Sequence, residues 1–117
     1  MADARLIQHV KGNNRTIEVQ VTDSAGKPYD LPGAVLHFTV KKIETDSVAT
    51  FALDTSDSAK GTIKSAAAGL VEFYIIPSNT NTLTAPSTFR YDVQMVVASK
   101  VYTVIPSSPF ELLPSVR

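Results

Sequence analysis

Few residues in this 117-residue sequence have the types and spacing that chemistry requires. His9 and His37 are its two imidazoles, the side chains best suited to moving protons near neutral pH. His37 takes the outward parity of an alternating stretch and His9 stands near the end of the first one, so both are expected as solvated residues of a strand face. A serine nucleophile needs a defined turn such as Gly-x-Ser-x-Gly, and no such motif occurs. Asp46, Asp54 and Asp57 fall in or beside polar loops, where carboxylates could gather around calcium. Their spacing lacks the alternating ligands, central glycine and closing glutamate of an EF-hand loop. Asp30, beside Leu31-Pro32-Gly33, reads as a turn former. Glycines 12, 26, 33, 61 and 69 are scattered singly, so no phosphate-cradling loop precedes a helix. The expectation is no catalytic residue, no cofactor and no metal site.

Composition narrows the classes further. Zero cysteines exclude disulfides, thiolate zinc sites and cysteine nucleophiles together. Eleven basic residues balance eleven acidic ones, which argues against nucleic-acid binding through bulk positive charge. Lys41-Lys42, beside Glu44, reads as a solvated strand edge, where lysine also discourages unwanted pairing. A hydrophobic fraction of 44% suits a packed core and argues against wholesale disorder. The start, Met1 to Arg5, lacks the basic and apolar regions of a secretory signal, and the apolar runs fall short of the ~20 residues that span a bilayer. The expected protein is made in a cytoplasm and contacts no membrane.

The elements that must position these side chains are strands. Ile17, Val19 and Val21 share one parity while Thr16, Glu18, Gln20 and Thr22 take the other, the mark of a half-buried strand. Leu36, Phe38 and Val40 repeat the pattern, as do Phe51 with Leu53, and Val71, Phe73 and Ile75. The strongest stretch runs from Thr88 to Val97, with Phe89, Tyr91, Val93, Met95 and Val97 on one face. Ala98-Ser99-Lys100 is a tight hairpin link to a strand over residues 101–105, after which Pro106-Ser-Ser-Pro109 interrupts. Ala66 to Gly69 is too short to nucleate a helix and reads as a turn, whereas Pro77 to Leu83 crosses between sheets through one helical turn capped by Ser78 or Asn79. About seven to nine short strands, with turn signals every 8–12 residues or so, predict a single all-β domain over residues 1–117: an antiparallel immunoglobulin-like sandwich.

Within that frame Tyr91 stands two residues before inward Val93, the place of the tyrosine that fills a sandwich corner and bonds nearby backbone. Leu6 and Ile7 at one end and Phe110, Leu112 and Leu113 at the other are apolar segments with two readings, ordinary terminal strands or docking arms for a partner. Tyr29, Tyr74 and Tyr102 are the aromatics that parity leaves available as a ligand platform.

The succession of motifs also carries a resemblance. Val21-Thr-Asp-Ser-Ala-Gly-Lys-Pro28 is followed by Tyr29-Asp-Leu-Pro-Gly-Ala34 and Val35-Leu-His-Phe-Thr-Val-Lys41. Later come Ala67-Ala-Gly-Leu-Val-Glu-Phe73, Pro77-Ser-Asn-Thr-Asn-Thr-Leu83 and Phe89-Arg-Tyr-Asp-Val-Gln94. This order resembles small immunoglobulin-like proteins from the structural-gene regions of tailed bacteriophages, and in particular the N-terminal domain family of phage baseplate upper proteins. The family usually has a glycine where this chain has Ala85-Pro86-Ser87, and a tyrosine where it has Phe89. The resemblance implies a non-enzymatic virion component of the tail, baseplate or fibre-attachment region. It further implies other virion proteins as partners, many copies in a symmetric assembly, and no nucleic acid, membrane or small-molecule substrate. A capsid decoration protein is the alternative within this class. A host-surface carbohydrate-binding or adhesion module is the rival from another.

Overall fold

A computed structural model describes residues 6–22, 26, 27, 33–43 and 48–115. Among the described residues eight strands and one helical turn follow one another: β1 (Ile7–Val10), β2 (Arg15–Gln20), β3 (Val35–Lys41), β4 (Phe51–Asp54), β5 (Gly61–Ser65), β6 (Leu70–Ile75), α1 (Pro77–Thr80), β7 (Ser87–Val97) and β8 (Lys100–Leu113). They form a five-stranded sheet in the order β1-β8-β7-β3-β4 and a three-stranded sheet in the order β2-β6-β5. The all-β sandwich expected from alternation is present. With β2, β6 and β5 standing for strands B, E and D, and β8, β7, β3 and β4 for G, F, C and C′, the strand order is that of an immunoglobulin-like sandwich.

Alternation explains the layering. In β3 the side chains of Leu36, Phe38 and Val40 are fully buried while those between them are half-exposed. The same period buries Ile17 and Val19 in β2, Val71, Phe73 and Ile75 in β6, and Phe89, Tyr91, Val93 and Met95 in β7. These inward sets interdigitate as one core. Phe38 sits in its middle, stacked on Tyr91 at 5.3 Å between ring centroids and tilted onto Phe73 of the opposite sheet at 5.5 Å.

Two expectations are corrected. The sandwich is not wholly antiparallel, because β1 pairs with β8 in parallel, Ile7 opposite Phe110 and His9 opposite Leu112. Alternation specifies which face a side chain takes but not the direction of the neighbouring strand. Nor does Pro106-Ser-Ser-Pro109 interrupt the last strand, since β8 runs unbroken through both prolines. From Tyr91 to Val93 the β8 partner moves from Ser108 to Ile105, and from Val93 to Gln94 it moves on to Thr103, one extra β8 residue each time. The first bulge relieves the strand of a regular ladder bond at Pro106, which has no N–H to give, while Pro109 stands in register opposite Arg90. The bulges also reset the parity of β8, so that adjacent Val104 and Ile105 are both buried.

The connections follow local chemistry. Ala98 and Ser99 close the β7–β8 hairpin with φ of 50° and 66°, the left-handed pair that the twist of a two-residue turn demands. The N-cap of α1 is Ile76 rather than Ser78 or Asn79, which both lie inside the turn, and the Asn79 side chain reaches back to accept the Ile76 N–H at 2.9 Å. Thr80 is buried and accepts the Gly12 N–H at 2.9 Å, fastening the β1–β2 turn to this crossing.

Gly61 opens β5 where the two sheets approach each other. A Cβ there would lie 3.0 Å from the Glu72 carbonyl oxygen, 3.1 Å from the Phe73 ring and 3.3 Å from the Asp54 carbonyl oxygen. Backbone atoms on both sides cannot yield without moving a strand. Gly61→Ala is therefore expected to destabilise the fold by about 1–3 kcal/mol, read as a lower denaturation midpoint in urea. An unchanged midpoint would contradict this packing.

Candidate functional site

His9 is not the solvated residue that its position near a strand end suggested. It shares the inward parity of Ile7, is 2% exposed, and lies against Phe110 at 6.0 Å between centroids. Its Nε2 is buried without a hydrogen-bond partner among the described residues. Burial lowers its pKa from the ordinary 6.5, the Arg15 guanidinium lowers it further, and a backbone hydrogen bond with Asn13 opposes both. Neutral, wedged in an apolar wall, His9 is core packing with one unsatisfied nitrogen. His37 does take its expected outward position, between Gln94 of β7 and Asp54 of β4. The two histidines stand at different places on the five-stranded sheet, one inside and one outside.

The loop carboxylates are occupied locally. Asp54 accepts the backbone N–H and the hydroxyl of Ser56, and its pKa is lowered chiefly by that hydroxyl. Asp57 accepts the Ala59 N–H at 3.0 Å. Asp46 and Asp30 lie outside the described residues. No group of three or more metal-ligating side chains occurs among the described residues.

The tyrosines do not form one platform. Tyr74 lies on the outer face of the three-stranded sheet, its hydroxyl 3.3 Å from Glu72. The neighbouring Glu18 and Glu72 face each other across β2 and β6, and Lys64 reaches both at 3.4 and 3.8 Å. Tyr102 is on the β7–β8 hairpin of the other sheet, 37% exposed. Tyr29 lies outside the described residues. Tyr91 is buried at 1% exposure, with its ring on Phe38. Of the terminal segments, Ile7, Phe110 and Leu112 are buried core residues of paired strands. They have no surface to offer as docking arms, whereas Leu6 is half-exposed and Leu113 half-buried.

Two surface features of the five-stranded sheet stand out among the described residues. The first is the hairpin end of the five-stranded sheet. There Val96 pairs with both Val35 and Val101, so outward apolar side chains gather, and Val101 is 61% exposed, while Tyr102, opposite inward Met95, takes the other face. The second is a shallow depression of about 150 Å³ on the outer face of that sheet, lined by Thr39, Lys41, Arg90, Asp92, Gln94 and Ser107. Cross-strand register builds it: Thr39 faces Asp92 and Lys41 faces Arg90. Arg90 is anchored, its Nε donating to the Ser107 hydroxyl at 3.1 Å and an Nη to the Ser107 carbonyl at 2.9 Å. Burial raises the pKa of Asp92, and Lys41 opposes that rise. Outward parity on two adjacent strands was visible in the sequence, but the register that brings these residues together was not.

The sequence matches no protein-family model and no curated protein.

The buried imidazole gives a pH dependence of definite sign. With the folded pKa below the unfolded value near 6.5, stability is fully present above that value. It is lost as pH falls towards the folded pKa, because the unfolded chain takes up the proton first. The melting temperature of the wild type is expected to fall as the pH is lowered below 6.5, and less so in His9→Leu. Parallel curves for the two proteins would show that His9 titrates normally.

Proposed function

We propose that the protein is a non-enzymatic structural component of a tailed-phage particle, an adaptor of the tail, baseplate or fibre-attachment region. The observation that carries this reading is the apolar hairpin end. Val96 and Val101 stand opposite each other on the outer face of the two longest strands, of 11 and 14 residues, with Val35 of β3 beside Val96, and the β7–β8 ladder holds this end together. A rigid apolar tip docks on a partner with little conformational entropy to lose, which favours a fixed place in an assembly. The resemblance of its motif order to that of phage baseplate upper proteins supports the same reading. The balance of eleven cationic and eleven anionic residues supports it too, because copies without net charge pack closely without long-range repulsion.

The test is incorporation. Particles from a strain that encodes the protein are purified and analysed by quantitative mass spectrometry. The protein is expected at a copy number set by tail symmetry, and Val101→Asp is expected to remove it while leaving the isolated protein folded. Absence from particles overturns the proposal, and a copy number matching the capsid lattice would move the protein to capsid decoration.

A further inference from the structure

We propose that the depression on the outer face of the five-stranded sheet is a binding subsite for one neutral polyhydroxylated ring, a single monosaccharide unit. This goes beyond the assembly role and stands independently of it.

The first argument is unspent hydrogen-bonding capacity. Arg90 and Ser107 hold each other. No side-chain hydrogen bond ties Thr39, Asp92 or Gln94 to another described residue, although all three are half-buried and converge on one depression. Together with Lys41 they offer a carboxylate that only accepts, an ammonium that only donates, and an amide and a hydroxyl that do both. Adjacent hydroxyls on a ring match that set, since each can donate to Asp92 or Thr39 while accepting from Lys41 or Gln94.

Charge selects among ligands. A cation entering to pair with Asp92 meets Lys41 and Arg90 beside it, and an anion drawn to those two meets the Asp92 carboxylate. A neutral ligand rich in both donors and acceptors avoids both penalties. It also returns to Asp92 the hydrogen bonds that partial burial denies it, the same partial burial that raises its pKa.

Size sets the limit. A cavity of about 150 Å³ is the size that takes one benzene ring. The depression is open to solvent, so a pyranose seats one face there and its remaining substituents project outward. Polar contacts at an open site compete with water, so affinity is expected in the millimolar range, a binding free energy of roughly −4 kcal/mol.

The experiment is a titration of the full-length ¹⁵N-labelled protein, followed by amide chemical shifts. The probes are hexoses, N-acetylhexosamines and 6-deoxyhexoses, each as free sugar and as methyl glycoside, up to about 100 mM. At least one sugar is expected to give saturable shifts centred on Thr39, Lys41, Asp92 and Gln94. Asp92→Asn and Gln94→Ala are each expected to weaken binding about tenfold or more, equal to ~1.4 kcal/mol. Their amide dispersion reports that they remain folded. Glu18→Gln, on the opposite sheet, is expected to leave the response unchanged. Equal response to both forms of a sugar points to a free monosaccharide, and preference for the glycoside to the end of a surface polysaccharide. Both results support the subsite. No saturable shift with any sugar, shifts centred elsewhere, or undiminished binding in both pocket variants overturns it.

Discussion

The contact between Phe38, Tyr91 and Phe73 is what the rest of the molecule is arranged around. Phe38 and Tyr91 are diagonal neighbours on adjacent strands, since Phe38 pairs with Val93 and Val40 pairs with Tyr91. Their stacking joins β3 to β7, and the tilt of Phe38 onto Phe73 joins that sheet to the other. A sandwich without disulfides has only such inward side chains to keep its layers together. Aromatic pairs add about 0.5–1.5 kcal/mol each beyond the area they bury. Because the inward positions are spent on cohesion, the side chains left for recognition are the outward ones on strands and turns.

The long hairpin converts that cohesion into reach. β8 pairs with β7 along most of its length and with β1 near its end, so it ties the first strand to the middle of the sheet. One of its two bulges accommodates Pro106 inside the strand, while Pro109 keeps regular register opposite Arg90, and the bulges re-aim the residues that precede them. Ser108, inward by the parity it shares with Phe110 and Leu112, is satisfied by donating to the Pro106 carbonyl at 2.7 Å. Phe51 and Phe110, from β4 and β8 of one five-stranded sheet, meet edge to face at 6.0 Å. Such a meeting requires the sheet to coil around its core. The two proposed surfaces lie on this sheet, one at the hairpin end and one on its outer face.

Much of the fold was legible because strand period is a local property. The parity of Leu36, Phe38 and Val40, and of Phe89 through Met95, gave the inward set before any tertiary contact was known. The hairpin at Ala98-Ser99 was legible from two flanking alternations, even without the usual Asn-Gly. The burial of His9 is not legible from its place near a strand end, because it follows from the parity it shares with Ile7 and from the pairing of β1 with β8. Pro106 and Pro109 misled for a different reason. Proline gives no N–H to a ladder, but whether the chain breaks, bulges as at Pro106 or keeps register as at Pro109 depends on the partner strand, which is distant in sequence.

The chain's own order of residues therefore decided the class of architecture, the content of the core and the places of most turns, all of which follow from short-range alternation and backbone preferences. Tertiary structure alone decided that β1 runs parallel to β8, that His9 lies buried, and that Thr39, Lys41, Arg90, Asp92 and Gln94 share one depression. Each of these depends on which residue stands opposite which across strands far apart in sequence. Alternation repeats every two residues, so it assigns a side chain to a face but leaves its cross-strand neighbour to be chosen by the packing of the whole core.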